Sequence, residues 1–149
     1  METKTLNANK KIARQSIEAY EKNDYSALEK ITDIAKFKLH LPGMDKPLKY
    51  EDAVKFNKQY NEAFPDVKLI IETQIAEGDF VMTRLIYKGT NKGAFQGISA
   101  SGKKIKVSGM TLQQIVKGKL VEEWDEFDSL GMMKQIGAIP ELESTEKYN

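Results

Sequence analysis

Apolar positions recur at helical spacing through the first third of the chain and mostly at two-residue spacing after it. Ala13, Ile17 and Tyr20 form one stripe, with Ile12 and Ala19 beside it. Asn7 or Asn9 is placed to cap this helix, because an Asn side chain accepts the free amide protons of a first turn. The pattern runs to about Asn23, and Asp24 opens a second, short helix carrying Leu28 and Ile31. Phe37 to His40 alternates like a strand until Leu41-Pro42-Gly43 ends it. Ala53, Phe56, Tyr60 and Ala63 return to helical spacing. Pro65 stops that helix, since the residue before a proline is pushed out of the α region.

Strands follow. Val67, Leu69, Ile71, Thr73 and Ile75 face one way in an unbroken alternation, and Lys68, Glu72 and Gln74 the other. Glu77-Gly78-Asp79 turns the chain into a second strand, Phe80 to about Thr90. A glycine-bearing excursion, Gly89 to Gly102, leads to a third strand, Lys103 to Val116. Lys117-Gly118 is a tight turn, and Lys119 to Phe127 is the fourth strand. A short helix around Leu130 to Ile136 precedes Gly137 and Pro140.

Helices first and a strand meander after them predict an α+β fold. N-terminal helices pack on a strongly curved antiparallel sheet and leave one pocket on its concave side. Nothing divides the chain, so residues 1–149 form a single domain, with a core of about 7–140 and a polar, frayed tail at 141–149.

Composition narrows the function classes. A net charge of +1 gives no basic excess for nucleic acid. The absence of cysteine excludes a disulfide framework and a thiol nucleophile. With a single histidine as well, no transition-metal site is expected. The first residues carry no apolar signal region, and no apolar run approaches the ~20 residues of a membrane helix. A cytoplasmic protein without a membrane partner is the expectation. Gly93, Gly97 and Gly102 lack the spacing and the Gly-Lys-Ser/Thr of a phosphate loop.

Several segments in order resemble one family. They are His40-Leu41-Pro42-Gly43, Phe64-Pro65-Asp66, Glu77-Gly78-Asp79 with Val81 and Arg84, and Gly89-Thr90-Asn91-Lys92-Gly93-Ala94-Phe95-Gln96-Gly97-Ile98. The last is Gly118-Lys119-Leu120-Val121-Glu122-Glu123-Trp124, followed by Asp128, Gly131, Gln135 and Gly137. The set is similar to the SnoaL-like polyketide cyclases of the nuclear-transport-factor-2-like superfamily, across about residues 10 to 140. The resemblance implies a cone-shaped α+β roll and a cofactor-free intramolecular aldol chemistry. It also implies an acid/base aspartate at Asp128. Two departures stand out: Asn91 replaces the histidine usual in the family's loop, and Ser99-Ala100 replaces a proline-containing pair.

The residues supply their own argument. An aspartate at a strand end facing an apolar cavity loses hydration, its pKa rises, and it can move a proton α to a carbonyl. Asp128 equally suits an N-cap of the helix that follows. Trp124, four residues earlier, is expected on the same face, as a stacking wall or as core. If the Lys117-Gly118 turn sets an unbroken ladder, Gln113 pairs with Glu122 and Thr111 with Trp124. Gln113, Thr111, Trp124 and Asp128 then share the pocket face, and a bulge reverses the assignment. His40 is the candidate proton shuttle or carbonyl donor. Arg84 is expected to hold an enolate oxygen or to pair with Glu72. Tyr60, Phe64, Met82 and Met110 are candidate pocket wall or core.

These readings lead to a cofactor-free cyclase or isomerase acting on a small apolar or aromatic carbonyl ligand. A hydrolase on the same scaffold, with Glu122 or Glu126 as a second acid, and a non-enzymatic binding module both stay open. A homodimer is expected, with Val121 and Phe127 on the face opposite Asp128 supplying the contact.

Overall fold

The computed structural model describes residues 2–140. Helices α1 (Glu2–Lys22), α2 (Tyr25–Lys30) and α3 (Tyr50–Ala63) surround a short strand β1 (Lys38–His40) in sequence. The strands β2 (Lys68–Glu77), β3 (Phe80–Thr90), β4 (Lys104–Val116) and β5 (Lys119–Phe127) follow, and α4 (Ser129–Gln135) closes the described chain. The first helix starts earlier than the Asn7 or Asn9 cap. Asn9 is instead buried inside it, and its amide lies 3.5 Å from the Gly78 carbonyl. Asp24 caps α2 as expected, accepting from the Ala27 amide at 3.1 Å.

The five strands form one open sheet in the order β1-β5-β4-β3-β2. The meander β2 to β5 is antiparallel, but β1 joins β5 in parallel, so the sheet is mixed. The β1 side chains therefore alternate in step with β5: Leu39 beside Glu123, His40 beside Trp124.

Two irregularities decide which side chains face inward. Between β2 and β3 the register slips at Glu72, so Ile71 opposes Leu85 but Thr73 opposes Arg84. Beyond the slip the faces exchange. Ile75 points out and is 65% exposed, while Gln74 turns in and donates to Thr83 Oγ1 at 3.2 Å. The unbroken alternation expected from Val67 to Ile75 is corrected accordingly. The second slip lies between β4 and β5. The Lys117-Gly118 turn has positive φ at both residues, as a two-residue hairpin requires. Val116 pairs with Lys119 and Ile115 with Leu120, but Gln114 then pairs with Glu122 and Val121 is left over. One extra residue in a strand moves every later side chain to the other face.

Helix α1 lies across the concave face of the sheet. Two apolar clusters flank the middle. One joins Ala13, Leu28, Phe37, Leu39, Tyr50, Val81, Ile115 and Leu120. The other joins Ala63, Phe64, Val67, Phe95, Ile105, Val107, Met132 and Ile136. The loop after β3 is pinned by Asn91, which is fully buried. Its amide donates to the Gly93 carbonyl at 2.9 Å, and its oxygen accepts from the Ser101 amide at 2.8 Å and the Ser101 hydroxyl at 3.0 Å. Gly93 lies so close to the Glu62 carbonyl that a Cβ would collide with it.

Candidate functional site

A cavity of about 90 Å³ lies between the helices and the concave sheet face. Its apolar walls include Ile17 of α1, Leu39 and Leu41 at β1, Phe56 and Tyr60 of α3, Leu85 and Tyr87 of β3, and Phe127 of β5. Tyr20, Asn57, Asn61, Thr111, Glu123 and Asp125 bring polar groups to it. No lysine, arginine or histidine is among the residues that line it.

Glu123 and Asp125 are successive inward positions of β5, placed there by the Val121 bulge. Thr111, opposite Asp125 on β4, joins them: its hydroxyl donates to Asp125 Oδ1 at 2.7 Å and lies 3.4 Å from Glu123 Oε1. Gln113 donates through Nε2 to Glu123 Oε1 at 2.5 Å and to Ser16 Oγ at 2.8 Å. The Ser16 hydroxyl in turn donates to the Ala13 carbonyl at 2.8 Å. The carboxyl pair is thus tied to α1 by a buried polar chain.

Both carboxyls are shifted in the same direction. Burial raises Asp125 to about 6, against the lowering effect of the Thr111 hydrogen bond and with a small push from Glu126. Burial also raises Glu123 well above the usual carboxylate range, and the neighbouring Asp125 charge adds to it. Tyr20 completes the polar end. Its hydroxyl is buried and has no hydrogen-bond partner among the described residues. Burial first, then the charges of Glu123 and Asp125, hold its proton on. The same three causes, with Tyr60 added, raise Tyr87.

Of the residues expected at the site, Thr111 and Tyr60 line the cavity. Gln113 stands behind it, fully buried, as the partner of Glu123. Phe64 is core, packed edge-on against Phe95 and tilted against Tyr60. The others lie outside. Trp124, Met110, Arg84 and Asp128 share a shallow depression on the outer sheet face, because the bulge turned Trp124 away from the cavity. Arg84 is ion-paired with Glu72 at 3.1 Å. His40 stacks on Trp124 with ring centroids 5.0 Å apart, and its Nε2 lies 3.0 Å from Glu122 Oε2. Asp128 is exposed and caps α4, accepting from the Gly131 amide at 2.8 Å. The shared pocket face expected for Gln113, Thr111, Trp124 and Asp128 is therefore corrected: the first two face in and the last two face out. Phe127, expected on the outer face, turns into the cavity for the same reason.

Sequence reasoning missed Glu123, Asp125 and Tyr20. From the sequence, Tyr20 reads only as part of the helix stripe. A signal for the pair was present: two acids separated by one residue, in a strand where alternation alone cannot fix the face. Among the described residues, no group of three or more His, Asp or Glu side chains could hold a metal ion. No described helix is long and apolar enough to cross a membrane.

Comparison with known proteins agrees with this architecture. AclR of Streptomyces galilaeus, a proposed hydroxylase, superposes with a TM-score of 0.84 at 23% identity, over 96% of this chain and 89% of that one. IdmH of Streptomyces antibioticus, a proposed polyketide cyclase, gives 0.78 at 23% identity, over 87% and 98%. A SnoaL-like polyketide cyclase of Agrobacterium tumefaciens gives 0.71 at 14% identity, over 87% and 98%. No curated protein matches the chain. The model of the SnoaL-like polyketide cyclases matches residues 10–136, nearly the whole described fold, and the chain belongs to that family.

Proposed function

We propose that this protein is a cofactor-free acid/base enzyme that moves a proton on a small carbonyl compound, as a cyclase or isomerase, with Asp125 as the working carboxyl. The observation that carries this reading is Asp125 itself. It is half-buried and held by Thr111 at the polar end of an apolar cavity, beside the buried Glu123, with no cationic residue in the lining. A carboxyl raised to about 6 is ionised at neutral pH yet basic enough to take an α-proton. Burial and the Asp125 charge favour the protonated form of Glu123, and burial holds the proton on Tyr20, so these two are the donors for the carbonyl oxygen as it becomes an enolate. Asp125 then returns the proton, either to the alkoxide formed when the enolate adds to a second carbonyl, or, in an isomerisation, to a different carbon of the enolate. Epoxide hydrolysis is the weaker reading, since it calls for an arginine among the carboxylates and Arg84 is paired with Glu72 on the outer face.

The test is exchange of α-protons for deuterium in a small ketone, followed by NMR in deuterium oxide. Asp125→Asn is expected to lower the rate by ~10²–10⁴-fold, and Asp128→Asn to leave it unchanged. Equal rates in wild type and Asp125→Asn would leave a ligand-binding module as the better reading.

The homodimer belongs to the same proposal, through a different surface from the one first expected. Phe80, Met82 and Met110 are exposed on the outer sheet face, with Trp124 partly so. A second copy would cover them.

A further inference from the structure

The acid-bearing cavity does not by itself enclose a fused-ring molecule. An apolar cavity of about 150 Å³ holds one benzene ring, and this one measures about 90 Å³. By that scale it encloses roughly four non-hydrogen atoms, enough for a carbonyl with its neighbouring carbons. The absence of lysine, arginine and histidine from the lining, together with two carboxyls, also disfavours any anionic head group.

Next to the cavity lies a second, larger space of about 410 Å³. Leu41, Phe56 and Phe127 line both. The outer space runs between the β1–α3 loop and α4. Its surface includes Met44, Leu130 and Ile139, which are 49%, 52% and 36% exposed. A cavity with a polar end beside an exposed apolar groove, the two sharing three side chains, is the outline of a site for an elongated ligand.

We infer that this groove is a binding subsite for the non-reacting apolar arm of the substrate, an uncharged molecule with a small carbonyl head and an alkyl or aryl tail. The head enters between Leu41, Phe56 and Phe127 to reach Asp125, and the tail lies along Met44 and Leu130. The inference rests on the acid/base reading for the chemistry of the head but not for the groove itself.

The test is a calorimetric titration of the intact protein with straight-chain 2-alkanones from butanone to nonanone. A parallel series of 1-alkanols, which lack the carbonyl, reads the groove alone. Affinity is expected to rise about fourfold for each methylene beyond the enclosed head. The double variant Met44→Ser, Leu130→Ser changes only exposed residues outside the catalytic set. It should bind butanone like wild type and gain less than twofold per methylene. A variant that keeps the wild-type increment, or a wild type whose affinity falls beyond butanone, would overturn the subsite. If both series grow with length but no ketone exchanges its α-protons, the groove stands and the acid/base proposal fails.

Discussion

Asp125 and Asp128 are three residues apart and live in different chemistry. Asp125 loses hydration against an apolar wall, and burial rather than any partner sets its protonation. Asp128 meets water and holds a helix amide. Two substitutions separate them. Asp128→Ala removes a cap and should cost about 1 kcal/mol in a thermal or urea melt, whereas Asp128→Asn should cost almost nothing. Asp125→Asn should do the opposite to stability. A carboxyl whose folded pKa is raised binds its proton more tightly in the native state, so native stability falls as pH climbs from about 4 through about 6. An amide that never ionises escapes this loss. Asp125→Asn should therefore melt higher than wild type at pH 8, by about 1–3 kcal/mol for a shift of this size. Near pH 4 the two should differ little. A melt at pH 8 in which the variant is less stable would mean that the Thr111 bond outweighs desolvation.

At the scale of elements, the helices, the four-strand meander and its two-residue turn were legible because each rests on local pattern. The Ala13-Ile17-Tyr20 stripe, Asp24 as a cap, Pro65 as a stop and Lys117-Gly118 as a turn all act within a few residues of themselves. The site was not legible, because it depends on Val121 being left out of the β5 ladder. A period-2 reading carries no mark of an unpaired residue, so it puts Trp124 and Asp128 on the pocket face with Thr111 and Gln113. Glu72 does the same to β2. The parallel entry of β1 is likewise a long-range fact, and it is why His40 follows Trp124 to the outer face. Asn91 illustrates a residue whose departure from the family's histidine has a visible job. With three hydrogen bonds in a fully buried position, Asn91→Ala should cost about 2–4 kcal/mol, read as a shift in the urea midpoint. A change below 0.5 kcal/mol would show the loop to be held by its backbone bonds alone.

At the scale of the molecule, one open sheet serves two purposes. Its concave face holds the cavity, and its outer face exposes Ile75, Phe80, Met82 and Met110. Self-association through that outer face predicts a concentration-independent dimer in light scattering at micromolar protein. Met82→Lys should convert it to a monomer, because a buried unpaired charge is costly at such a contact. A wild-type protein that scatters as a monomer at high concentration would remove the dimer from the account. The proposed chemistry does not draw on the outer face, so α-proton exchange should survive in the monomeric variant.

In the proposed chemistry the working acid is Asp125, which lines the cavity. Carbon-13 NMR of the aspartate and glutamate side-chain carboxyls, titrated from pH 3 to 9 in wild type and Asp125→Asn, tests it without a substrate. The inner pair should titrate in two linked steps, both above the ordinary carboxylate range, with Asp125 near 6. Asp125→Asn should abolish the step near 6 and lower the remaining one by removing the neighbouring charge. An Asp125 carboxyl that titrates near 4, as an exposed aspartate does, would contradict the account.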